Sequence, residues 1–337
     1  MMKNHIKDFA KSLNNESLLI LGGTGLFGKT LLPALVREIE ENNINTKITI
    51  VTRNKSNALA NIPVLKKTIF DLIEFDFLLG SEFGFNIKSS YILHMAATAA
   101  HDTFTGISQI KKYQLLVNST NFVSKLINNR SVKRVVFVSS GIAYGDVDEY
   151  REGIFGNINH LDPSSSLALG KVSAEYILKN ICDQTDTELS IARCFSFISK
   201  FLPLDIHYAI GNFVKAAIDG EDIIIRGDGK DIRSYQHVED AVDWISYLIT
   251  NEKPPLIMNI GSDEFLSIEN LALLVKKLVN QNCKILVQNK KPPKDNRRRL
   301  SYVPCLNLAY KLGLEQTKSL EYSINELAQS YKNRLNE

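Results

Sequence analysis

Short apolar or β-branched runs punctuate the first half of the chain: Leu18–Leu21, Ile48–Thr52, Thr68–Phe70, Tyr91–His94, Val135–Ser139 and Leu189–Ala192. Between them stand longer stretches, Leu26–Glu40, Ile107–Asn128 and Ser165–Asn180 among them, in which apolar residues return every three or four positions, the spacing of one helix face. Strand-like runs alternating with helix-like ones predict a parallel sheet covered on both faces, because a parallel neighbour is reached through a crossover and the crossover is usually a helix. After Arg193 the rhythm changes. Helix-like Tyr208–Asp219, Val238–Thr250 and Ser267–Asn280 are separated by loops rich in Gly, Pro and charge. The expected architecture is therefore α/β: a doubly wound parallel sheet of the Rossmann kind over residues 1–193, then a smaller lobe over 194–337, with the chain crossing back to the sheet near 237–261. Lys290–Arg299 holds Pro292-Pro293 and six basic residues, cannot continue a helix, and reads as an exposed loop.

Composition narrows the class without changing this picture. A chain of 337 residues with 44% hydrophobic and 23% charged residues is globular in character. Its 40 Lys and Arg against 37 Asp and Glu leave a dispersed net charge of +3, too weak to predict a nucleic-acid surface. Cys182, Cys194, Cys283 and Cys305 are far apart and form no C-x-x-C pair, so neither a metal site nor a disulfide framework is expected. Met1 to Leu13 lacks the apolar centre of a signal peptide, and no stretch is apolar enough to cross a bilayer. A cytoplasmic protein without membrane contact is the expectation.

The densest chemistry follows the first strand. Leu18–Leu21 runs into Gly22-Gly23-Thr24-Gly25-Leu26-Phe27-Gly28 and then into a helical pattern. Glycines at the tight points let the backbone approach a diphosphate, and the helix start offers free N–H groups and a positive dipole end. The same residues satisfy G-x-G-x-x-G from Gly23 and G-x-x-G-x-x-G from Gly22, so all seven are candidate cofactor residues. At the end of the second strand an NAD protein usually carries an acid for the adenosine ribose; here stand Thr52-Arg53-Asn54. An arginine can pair with a 2′-phosphate, which favours NADP over NAD.

Further segments resemble the nucleotide-sugar epimerase/dehydratase family, the extended short-chain dehydrogenases, over nearly the whole chain. His94-Met95-Ala96-Ala97 resembles the H-L-A-A after the fourth strand, Asn118 the central-helix asparagine, and Val138-Ser139-Ser140-Gly141-Ile142-Ala143-Tyr144-Gly145 the V-S-S-x-x-x-Y-G segment. The resemblance implies a catalytic role for Ser140 and Lys171. It adds Asp71, Leu72, Met95, Ala96, Ala97, Asn118 and Lys171 to the cofactor contacts. Arg193-Cys194-Phe195-Ser196 resembles R-x-x-N with Ser196 in place of Asn, and Gly227–Tyr235 followed by His237–Asp240 resembles G-D-G-x-x-x-R-D-F-x-x-V-x-D. These imply a nucleotide-sugar substrate held by Ser196, by Arg233 and by Arg298, since arginine's planar fork bonds two phosphate oxygens at once. The family also pairs two helices across a symmetry axis, which implies a homodimer through Ile107–Asn128 and Ser165–Asn180.

The chain departs from that family where a base is needed. The resemblance places Y-x-x-x-K on a helix, but the aligned residues are Leu167 and Lys171. Leucine has no titratable group and cannot take a sugar hydroxyl's proton. Gly141-Ile142 also replace the Asp-Glu that the 4,6-dehydratases carry after the catalytic serine or threonine, which disfavours that elimination. Three readings stay open: another base (His160, Tyr144 or His101), a chemistry with little need of one, or a non-catalytic NAD(P)-binding regulatory or scaffold protein.

Overall fold

The computed structural model describes residues 4–80, 87–97, 106–128, 131–204, 208–288 and 301–335. It divides into two compact units, one formed by residues 1–194 and 242–260, the other by 195–241 and 261–337.

The first unit is built on β1 (Glu16–Leu21), β2 (Thr46–Thr52), β3 (Phe70–Glu74), β4 (Tyr91–His94), β5 (Arg134–Ser140) and β6 (Glu188–Cys194), completed by the Ile257–Ile260 strand. The order across the sheet is Ile257–Ile260, β6, β5, β4, β1, β2, β3, with every pairing parallel. Leu18 to Leu21 and Val135 to Val138 are all buried, as continuous apolar runs must be when both faces of a sheet are covered. Phe122 and Val123 of the Gln109–Asn128 helix and Ala174 and Leu178 of the Ser166–Asp183 helix pack on Leu19, Ile92, Phe137 and Ile191. This doubly wound sheet is the one the alternating pattern predicts.

Two local details differ from expectation. The third strand, expected at Thr68–Phe70, begins at Phe70 and runs to Glu74; it lies at the sheet edge, where Asp71 and Glu74 face solvent at no cost, so its acidic residues do not end it. A helix, His5–Ser12, precedes β1. The Asn4 side chain caps it by accepting the Lys7 N–H, and His5 Nδ1 lies 2.7 Å from the Asp243 carboxylate.

In the second unit, helices Ala209–Asp219, Ile268–Val279 and Leu320–Leu335 enclose a core that includes Phe213, Val214, Leu271, Val275, Ile324 and Leu327. A parallel pair, Ile223–Ile225 with Ile285–Val287, closes one side of it. Ile232–Ser234 lies between Phe265–Ser267 (antiparallel) and Ser301–Tyr302 (parallel).

Candidate active site

The loop after β1 is shaped by backbone approach. Gly22 has φ +78°, and a Cβ there would sit 2.6 Å from the Met95 carbonyl oxygen; at Gly28 it would sit 1.9 Å from that of Gly23. Only glycine fits either position. Gly25 behaves differently: its Cβ direction meets nothing closer than the Gly22 oxygen at 3.6 Å, and the residue is exposed. Gly25 is also the N-cap of the Leu26–Glu41 helix, with no side-chain capping bond and no acidic residue in the first turn. Uncapped N–H groups at a positive helix end, beside an open glycine, suit a diphosphate. Thr24, Leu26 and Phe27 complete the turn, each half-buried.

Met95 and Ala96 form the facing wall. The Met95 N–H donates to the Leu21 carbonyl at 2.8 Å, both residues are buried, and Ala97 beyond them is exposed. His94 anchors this turn from below, with Nε2 3.2 Å from Thr120 Oγ1 and Nδ1 accepting the Ala96 N–H at 3.4 Å. Burial, aided by the Lys171 charge, pushes its pKa down to about 3, so it is a neutral structural residue. Asn118, in the middle of its helix, donates to the Phe77 carbonyl at 2.7 Å and thereby pins the stretch that follows β3. Asp71 and Leu72 lie inside β3, opposite Thr49 and Ile50, whereas Val51, beside Leu21, pairs with Ile73. Asp71 pairs with Lys47 at 2.7 Å, so the structure directs its carboxylate along the sheet rather than into the glycine turn. Arg53 is exposed at the end of β2. There it joins Thr24, Lys29 and Asn54 around a cavity of about 350 Å³. Lys29 carried no recognisable motif in the sequence.

Ser140 ends β5, and its Oγ accepts the Ile142 N–H at 3.4 Å to start the Gly141–Tyr144 turn. On the Ser166–Asp183 helix Leu167 is half-buried and Lys171, one turn on, is buried. Lys171 Nζ donates to the Val138 carbonyl at 2.6 Å and lies 4.8 Å from the Phe137 ring centre. Burial lowers its pKa to about 8, while Cys194 and Glu175 act in the opposite sense. Behind it a buried network links residues from two of the sequence motifs to Glu175. Ser139 donates to Glu175 at 2.5 Å, and Glu175 takes both Nε and Nη2 of Arg193 at 3.1 and 2.6 Å. The Arg193 guanidinium sits 4.2 Å from the Tyr144 ring centre.

Of the substitute bases expected from sequence, Tyr144 is packed inside the fold. Its ring is fully buried, its hydroxyl donates to Asn259 Oδ1 at 2.8 Å, and burial pushes its pKa up to about 12. Held in that way, the phenol stays protonated near neutral pH. His160 is exposed, and His101 lies outside the described residues.

In the second unit Ser196 is half-buried, and its carbonyl accepts the Gln236 N–H at 3.0 Å. Arg233 is half-buried too; its Nη1 donates to its neighbour Ile232's carbonyl at 2.9 Å, and Nη2 lies 3.7 Å from Asp231. Arg298 lies outside the described residues. This unit contains a cavity of about 600 Å³ lined by Asn212, Phe213, Arg226, Asp228 and Gln288 among others.

A parallel sheet in which a glycine turn and an uncapped helix follow the first strand defines a dinucleotide-binding protein. The model of the NAD dependent epimerase/dehydratase family matches residues 18–261, and the chain belongs to that family. Among curated relatives, UDP-glucuronic acid decarboxylase 3 of Arabidopsis thaliana is 28% identical over 335 residues, 96% of this chain and 91% of that protein. UDP-glucuronic acid decarboxylase 1 of Danio rerio is 26% identical over 97% of this chain and 75% of its own length. Among solved structures, UDP-glucuronic acid 4-epimerase from Bacillus cereus, in complex with UDP-glucuronic acid and NAD, superposes with a TM-score of 0.76 at 17% identity, covering 94% of this chain and 99% of that one. The UDP-glucose 4-epimerase of Thermotoga maritima, with UDP-glucose, gives 0.73 at 19% identity, covering 95% and 99%. Among the described residues no helix is long and apolar enough to cross a membrane.

Proposed function

We propose that this chain is an NAD(P)-dependent enzyme that epimerises, reduces or otherwise remodels the sugar of a nucleotide sugar, with an active site lacking the usual tyrosine. The observation that carries this reading is the cofactor cradle: Gly22 and Gly28 admit no side chain, while Gly25 leaves room for a ligand. Bound there, a nicotinamide dinucleotide supplies hydride transfer. Ser140 would hold the sugar oxygen, and Lys171, released from the Val138 carbonyl, the nicotinamide ribose. Residues 1–193 would hold the dinucleotide and 194–337 most of the sugar nucleotide. Arg233 and Arg298 are assigned to its diphosphate end and Ser196 to substrate contact, and the cavity of the second unit suits a base. The relatives that act on UDP-sugars make UDP-glucuronic acid and UDP-glucose the first substrates to try. Arg53 favours NADP over NAD.

A second reading has its own support. Leu167 offers no proton acceptor, Lys171 is drawn into the sheet, and Tyr144 is held as a neutral phenol, all of which fits a binding protein without turnover. Incubation with a panel of nucleotide sugars and either dinucleotide, followed by NMR of the products, separates the two. Turnover of any member supports the enzyme, and tight dinucleotide binding with no product from the whole panel supports the binding protein.

Assembly as a homodimer belongs to the same proposal. Ile110 and Tyr176, on the two helices the family pairs, are 60% and 69% exposed, an apolar surface suited to a symmetry mate. A single species of monomer mass in sedimentation at micromolar concentration would overturn it. A cytoplasmic location belongs to the same proposal and is tested by cell fractionation.

A further inference from the structure

Two very short strands of the second unit adjoin its proposed substrate residues. Phe197–Ile198 directly follows Ser196 and pairs in parallel with Gln236–His237, which begins three residues after Arg233. The Gln236 N–H donates to the Ser196 carbonyl at 3.0 Å. A ladder of two residues a side is marginal by itself, so its register has to come from what packs on it.

That support is the helix Leu320–Leu335, which lies beyond the 18–261 span of the family match and reaches both strands. On one side, Ser330 Oγ and Arg334 Nη2 donate to the carbonyl of Lys200, two residues past Ile198, at 3.2 and 3.4 Å. On the other, His237 is 1% exposed and its Nε2 lies 3.0 Å from Glu326 Oε2. Its Nδ1 accepts the Glu239 N–H at 3.2 Å, which leaves a proton on Nε2, so the ring donates to the carboxylate. The Tyr322 ring, one turn before Glu326, meets the imidazole edge-on with ring centres 5.6 Å apart. Buried Asp240 holds the chain that enters the helix, accepting the Thr317 and Lys318 N–H groups at 3.0 and 3.1 Å and the Thr317 hydroxyl at 2.5 Å. Ile324 and Leu327 of the helix share one core with Ile198, so a shift of the helix is felt in the strand pair.

We propose that His237 and Glu326 are positioning residues for the sugar nucleotide: through them this helix straps the two short strands and holds Ser196 and Arg233 at the spacing the substrate needs. The inference rests on the substrate reading of Ser196 and Arg233. Both positioning residues act through those two. An arginine fork bonds two phosphate oxygens only when it is aimed at them, so a small displacement of the strand costs affinity before it costs folding.

The test is calorimetric titration of the purified full chain with UDP, dTDP, GDP and CDP, beside fluorescence titration with NADH and NADPH, at a temperature where every variant is folded. The parent is expected to bind at least one nucleoside diphosphate, which then serves as the probe. His237→Ala and Glu326→Ala should each weaken that probe about tenfold, the scale of one charge-assisted bond, and leave dinucleotide affinity unchanged. The double variant should be no worse than either single one, because both remove the same contact. His237→Gln, whose carboxamide can accept from Glu239 and donate to Glu326, should recover most of the loss. A lowered melting temperature with nucleotide affinity intact would make the contact purely structural and overturn the proposal. Equal losses for nucleotide and dinucleotide would overturn it as well. If His237→Ala does not fold, Glu326→Ala decides alone, since that side chain is 22% exposed. A folded parent that binds dinucleotide but none of the four nucleoside diphosphates removes the substrate reading and this inference with it.

Discussion

At Gly25 an added Cβ would meet nothing closer than a carbonyl oxygen 3.6 Å away, whereas at Leu167 four side-chain carbons occupy the place where the family resemblance expects a phenol. The two regions serve the same proposed reaction by different means. Dinucleotide binding at a glycine turn is done by the backbone, through N–H groups, a helix end and the absence of side chains, and it survives wide change elsewhere. Proton transfer depends on one oxygen at one position, so a single substitution removes it. Binding and chemistry are therefore separable in this fold.

The largest effect expected from breaking the first region is at Gly25. Gly25→Val should abolish dinucleotide binding while the protein stays folded, because φ of −80° suits valine and the side chain would fill only the ligand's space. Fluorescence titration with either reduced dinucleotide, paired with a thermal melt, checks this. Undiminished affinity in the variant would show that the turn faces no ligand.

Restoring the second region should have the next largest effect. If Ser140 and Lys171 are otherwise in place, Leu167→Tyr should raise turnover of a nucleotide sugar about tenfold or more, within the range of one general base. A variant that is slower than an active parent would show that the chemistry runs through another group and that the pocket has adapted to leucine.

Two buried basic groups at the centre of the sheet, His94 and Lys171, give the comparison a pH dependence. His94 has its pKa lowered to about 3, so the unfolded chain binds a proton that the folded one does not between roughly pH 6.5 and 3, and stability should fall as pH falls through that window. Lys171, lowered to about 8, is neutral in the folded state while still charged in the unfolded one between about pH 8 and 10.5; its contribution to stability should rise with pH there. Denaturant melts across pH measure both. Lys171→Met should flatten the alkaline limb, and a limb identical to the parent's would mean that Lys171 is charged and solvated.

The smallest effect expected is at Tyr144. Tyr144→Phe removes the hydroxyl that donates to Asn259 and should cost about 1 kcal/mol of stability, without displacing the pH profile of any turnover. A shifted profile would return Tyr144 to the list of bases.

Much of the first region was legible in advance. The alternation of apolar runs with helical periodicity specified a parallel sheet, and the spacing of Gly22, Gly25 and Gly28 specified a ligand turn, because both are local patterns read directly from neighbouring residues. Even so, β3 lies further along the chain than Thr68–Phe70, since edge strands tolerate acids that a buried strand would not. The leucine at position 167, where the family resemblance implies a tyrosine, is read from the register set by Lys171 alone. Other properties belong to residues far apart in the chain and had no local signature. Tyr144 read as a candidate base until tertiary packing buried its ring and tied its hydroxyl to Asn259, 115 residues later. Lys29 was one lysine among many until the parallel pairing of β1 with β2 brought it and Arg53 to one cavity. Residue identity and spacing determine which backbone conformations and which side-chain chemistries this chain has. Burial, partner and charge environment, which decide whether a phenol is a base or a packing residue and whether a lysine faces water or a ligand, arise only when distant segments exclude solvent together.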